Sequence, residues 1–125
     1  MPEELALLQE WKETLGLHDW YILLQTNCKK DELMDDAGGD VEYIESTKQA
    51  LIRTIDPNEL EGNIKPFNFE ETLVHELLHC KFALIADGED WDNDLQLRVL
   101  HQVIDDIAKA LVRVKHENSR KEDPA

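Results

Sequence analysis

The segment from Asn68 to about Ala86 constrains the fold more than any other part of the chain. Leu73, Val74, Leu77, Leu78, Leu84 and Ile85 recur at helical spacing, so the helix they predict has an apolar stripe that a second layer must cover. Asn68 stands at the N-cap, and Glu71 three residues later can reach back to it as a capping box. The same helix carries His75-Glu-Leu-Leu-His79 beside the stripe. Residues four apart share a helix face, with Cβ atoms about 6 Å apart, so two imidazoles there can converge on one ion at ~2.0 to 2.1 Å. Glu76 sits about 100° further round, where it misses such an ion but can reach a water bound to it and act as a general base. Two core histidines satisfied by neighbouring acids would carry the same letters, so a catalytic reading needs a third ligand from elsewhere.

The other segments supply the covering layers. Glu3 to Leu15 places Leu5, Leu8, Trp11 and Leu15 at helical spacing between Pro2 and Gly16, which predicts an N-terminal helix. Trp20 to Thr26 reads as a first strand, followed by a polar loop that holds Cys28 and ends at Gly38-Gly39. Val41–Glu45 and Gln49–Ile55, linked by Ser46-Thr47-Lys48 and stopped by Asp56-Pro57, read as a β-hairpin. A last helix from Asp94 to Lys115 carries Leu97, Leu100, Val103, Ile104, Ile107, Ala108, Leu111 and Val114. The expectation is one α+β domain over residues 1–115, a small three-stranded sheet packed against an N-terminal, a histidine-bearing and a C-terminal helix. Residues 116–125 are expected as a frayed polar tail.

Three patterns could complete a zinc site. The compact one, with glycine and histidine soon after the pair, fails because Phe82 and Ile85 stand at those positions. An upstream cysteine, as in peptide deformylases, would cast Cys28, but that family's glycine-rich segment is missing. The third takes a ligand from the following helix. His101 lies four residues after Leu97 and three before Ile104, on the expected core side, and would meet His75 and His79 if the two helices pack antiparallel. Asp105, one turn on, is its main rival, with Asp94 behind it. Asp90, Asp92 and Asp94 imitate the start of a calcium loop, but Leu95 replaces its glycine and His101 its final glutamate. Cys80 points about 100° away from His79 and reads as a packed thiol. His18, Tyr43 and His116 are candidates to stabilise a transition state, with a plain surface position the simpler reading of His18.

Composition narrows the function class. A net charge of -15 on 125 residues argues against binding a phosphate backbone, so no nucleic-acid partner is expected. No apolar run approaches the ~18 residues of a membrane span, and the acidic start MPEELALLQEW has no basic leader region. These features point to the cytoplasm with both cysteines reduced; a monomer is the expectation, though no residue pattern fixes the oligomeric state.

On Thr72-Leu-Val-His-Glu-Leu-Leu-His-Cys80, Leu17-His-Asp-Trp20, Ala50–Ile55 and the two C-terminal helices, the chain resembles the zincin metallopeptidases, in particular small single-domain gluzincin-like ones often encoded by bacteriophages. The resemblance implies a mixed sheet beneath an active-site helix, with an edge strand, Val41–Glu45 or Gln49–Ile55, that binds a peptide in extended form. It also implies a location in the host cytoplasm if the chain is phage-encoded. Gluzincins use a glutamate as third ligand, and the matching position here is His101. The function expected is hydrolysis of peptide bonds in a peptide or protein substrate through a metal-activated water. One zinc ion on His75, His79 and His101 and Glu76 as general base would carry it. The alternative is a catalytically weak zincin-like module that captures or regulates a partner protein.

Overall fold

A computed structural model describes residues 2–33, 38–60, 67–83 and 94–122. Helix α1 spans Pro2–Thr14, strands β1, β2 and β3 span Tyr21–Cys28, Gly39–Ile44 and Gln49–Ile55, α2 spans Phe69–Lys81, and α3 spans Asp94–Glu122. The strands form one mixed sheet in the order β1-β3-β2, with β3 parallel to β1 and antiparallel to β2. The expected hairpin forms, closed by a short turn over Glu45–Thr47, after which Lys48 adopts a left-handed φ of 54°. Because β3 is the middle strand, Gln49–Ile55 cannot be the peptide-binding edge; β2 keeps that possibility.

Strand alternation sorts the sheet into two faces. Ile22, Ala50 and Tyr43 form one row across it and Leu24, Ile52 and Val41 the next, and both rows join the core beneath the helices. Leu8 and Trp11 of α1, Leu73, Val74 and Leu77 of α2, and Ile104, Ala108 and Val112 of α3 complete that core. A second small cluster at the strand ends holds Cys28, Leu33 and Ile55. Cys28 therefore closes β1 as a buried residue instead of lying in a polar loop.

Helix α2 starts as expected, with the Asn68 side chain accepting the Glu71 N–H at 3.0 Å. The Glu71 carboxylate returns to the Asn68 side-chain amide at 3.3 Å, not to its backbone. Leu84, Ile85 and the acidic run from Asp87 lie outside the described residues. On α3 the buried line is Ile104, Ala108, Val112, while Val103 and Val114 are 45% and 47% exposed. The helix touches α2 along a narrow i, i+4 line, so apolar residues off that line face water.

The helix also continues beyond Lys115 instead of fraying, because Lys115 and His116 both bind the carboxylate of Glu70 in the first turn of α2. Trp11 of α1 donates its indole N–H to the same carboxylate at 2.7 Å, so one buried group ties three helices together. Burial alone would raise the Glu70 carboxyl, but Lys115, Trp11 and His116 outweigh it and hold it below the ordinary glutamate range. Replacing Glu70 by Gln is expected to cost about 2 kcal/mol at neutral pH. A depressed carboxyl stabilises above its ordinary value and loses that contribution as pH falls through the folded one, so urea unfolding curves of the two proteins should converge in acid.

Candidate metal centre

Three contacts fix the direction in which α3 crosses α2. Glu70 meets Lys115 and His116, His75 meets Asp105, and His79 meets His101, so rising numbers on one helix pair with falling numbers on the other. The helices are antiparallel, the arrangement the third-ligand argument required. Ring centroids lie 5.1 Å apart for His75–His79, 4.7 Å for His79–His101 and 6.1 Å for His75–His101. One ligand atom from each imidazole lies within 4.8 Å of the other two. A tetrahedral ion with bonds of ~2.1 Å needs nitrogens about 3.4 Å apart, so small side-chain rotations would close the set.

His75 and His79 are half-buried, whereas His101 is exposed. His101 is therefore at the rim of the interface and not on the core side: three residues before Ile104, it lies about 60° round from the buried line of α3. Burial pushes the His79 imidazole down to about 4, with His101 and His75 adding to the effect. Burial also lowers His75, against the opposing pull of Asp105. Both rings are thus neutral at pH 7, as ligands to a metal must be.

Asp105, the rival ligand, does different work. Its Oδ1 lies 3.2 Å from Nδ1 of His75, while Oδ2 binds Lys109 at 2.6 Å. A carboxylate only accepts, so it selects the tautomer with the proton on Nδ1 and leaves the Nε2 lone pair of His75 for an ion. The side chain of Asp94 lies outside the described residues. Cys28 belongs to the separate cluster with Leu33 and Ile55, which removes the deformylase-like ligand set. Cys80 is buried, and desolvation with the nearby Glu76 pushes its thiol up to about 12, as suits a packed side chain.

Glu76 is 6% exposed, and burial, reinforced by the charge of Asp40, pushes its carboxyl up to about 8. It lies over the start of β2, where a Cβ on Gly39 would sit 3.6 Å from Glu76 Oε2, 3.0 Å from the Arg53 carbonyl and 2.6 Å from Thr72 Cγ2. Thr72 and Glu76 are one turn apart, so the bare backbone of Gly39 lets that face of α2 settle onto the strand. The glycine pair, which closes a polar loop by sequence, has this role because of atoms across the interface, Thr72 among them, that leave no local mark.

The three candidates for transition-state stabilisation do not gather here. His18 is exposed in the turn after α1. His116 binds Glu70, fifteen residues and ~22 Å along α3 from His101. Tyr43 lies four residues along β2 from Gly39, ~13 Å at strand spacing. Comparison with protein-family models, with curated proteins and with solved structures finds no match.

Two outcomes are expected. Asp105→Asn should weaken Co²⁺ binding roughly tenfold to a hundredfold, read from visible absorption during metal titration, with little change in secondary structure. Gly39→Ala should lower stability by about 1 to 3 kcal/mol in urea, and adding Thr72→Ser, which removes the clashing methyl, should restore part of the loss.

Proposed function

We propose that the chain is a zinc-dependent peptidase of zincin-like fold, with His75, His79 and His101 as metal ligands and Glu76 as general base. The observation that carries this reading is the convergence of three imidazoles from two helices within 4.8 Å, on the helix that also holds the buried Glu76. Three nitrogen donors suit zinc and leave a fourth position open, as a hydrolytic site needs. Zinc bound there would supply a Lewis acid and lower the pKa of water.

The chain's own groups divide the remaining work. Glu76 takes a proton from the attacking water and returns it to the leaving amine. Asp105 holds His75 in its ligating tautomer, and Lys109 steadies Asp105 from the far side. Strand β2, an edge in the described sheet, starts beside Glu76 and offers main-chain groups to a substrate in extended form.

The test is metal analysis joined to a broad peptide-cleavage screen. Wild type should hold one zinc per chain and cleave, and Glu76→Gln should keep its zinc while losing at least about a hundredfold in rate. His101→Ala should lose zinc; full retention would overturn the ligand set. Stoichiometric zinc with no cleavage of any peptide would favour the binding module over the enzyme.

A further inference from the structure

The face of the sheet turned away from the helices breaks the rule that a solvated face is polar. Its rows across β1, β3 and β2 are Tyr21–Gln49–Ile44, Leu23–Leu51–Glu42 and Gln25–Arg53–Asp40. The last row is polar, as expected, but the first two put Tyr21, Leu23 and Ile44 in water, 65%, 52% and 56% exposed, around a half-buried Leu51. A shallow groove of about 380 Å³ runs over this corner. The adjoining edge is unguarded as well. Strand β1, YILLQTNC, contains no charge, proline or glycine, the devices that normally keep an edge from pairing, and among the described residues only β3 pairs with it.

We propose that this corner of the sheet is a docking surface for a cationic, apolar segment of a partner protein. Charge selects the occupant. The cations at the corner are already neutralised, Lys48 by Asp19 and Arg53 by Asp40 and Glu42, while the Glu42 side chain remains 65% exposed and Glu45 lies at the adjacent turn. A second copy would bring a chain of net charge -15 against another of the same charge, and four apolar side chains fall short of the ~800 Å² per partner that a stable dimer buries. A segment with lysine or arginine flanking apolar residues meets no such repulsion. It can lay its side chains in the groove and pair its backbone with β1. The surface is on the opposite face of the sheet from the histidines, so it does not depend on the peptidase reading.

The experiment titrates the full ¹⁵N-labelled chain with a short peptide of alternating valine and tyrosine ended by lysines, and with its glutamate-ended counterpart. The lysine-ended peptide should shift amide signals at residues 21–25, 42–44 and 49–51, with affinity that falls as salt is raised. Leu23→Lys, at an exposed position, should weaken that binding about tenfold while leaving metal binding at the histidines unchanged. Equal affinity for the two peptides, no binding of either, or shifts confined to α2 and α3 would overturn the proposal. So would concentration-dependent dimerisation in the ultracentrifuge that Leu23→Lys abolishes, since the occupant would then be a second copy.

Discussion

The antiparallel contact between α2 and α3 is the constraint on which the rest depends. It is held by polar contacts at two places and by apolar packing along the seam. Glu70 grips Lys115 and His116 near one end, Asp105 grips His75 nearer the other, and Ile104, Ala108 and Val112 lie along the seam. A slip of one residue would turn α3 by about 100° and move it ~1.5 Å, which would take His101 away from His79. The Glu70 clasp is remote from the histidines yet helps fix their register. This explains why a buried carboxylate, costly to desolvate, is tolerated there: with indole, ammonium and imidazole donors around it, it links three helices at one point.

The histidine cluster and Glu76 are the reverse case, polar groups whose burial works against stability. Desolvation resists protonation of His79 and His75 and resists ionisation of Glu76. Lowered imidazoles make the folded state less stable as pH falls below their ordinary value. A raised carboxyl makes it less stable as pH rises from its ordinary value towards about 8. The two penalties change in opposite directions with pH, and the apolar core under α2, with Leu73, Val74 and Leu77 fully buried, has to outweigh them. A divalent cation would favour the unprotonated form of every one of these groups, so the site is costly alone and suited to an ion.

What could be read from sequence was local or periodic. Asn68 caps α2 because a cap needs only the next few residues, and His75 and His79 share a face because helix geometry alone puts them there. His101 stood out as a histidine amid an apolar repeat. Strand order was not legible, because the parallel pairing of β1 with β3 joins segments more than twenty residues apart and leaves no local mark. The extent of α3 was hidden for the same reason: its last turns are held by Glu70, far away in sequence. Asp105 reads from sequence only as a rival to His101 for the third ligand, since spacing on one helix cannot say whether a carboxylate faces an ion or the back of a ligand. Gly39 read as a loop residue because its constraint comes from Thr72 across the interface.

A histidine at position 101 instead of a glutamate changes the electrostatics of the proposed centre. Three neutral imidazoles would leave the full double charge of a zinc ion uncompensated in its first ring of ligands, whereas a carboxylate would cancel one unit. An ion so held would polarise water and carbonyl groups more strongly, which would favour hydrolysis. It also needs negative charge nearby to be retained in a half-buried position. Asp105 would supply that charge through His75, and Glu76, once ionised beside a cation, would supply it directly. On the proposed reading, the pairing of a neutral ligand set with carboxylates one step removed would put the acid where it can move protons.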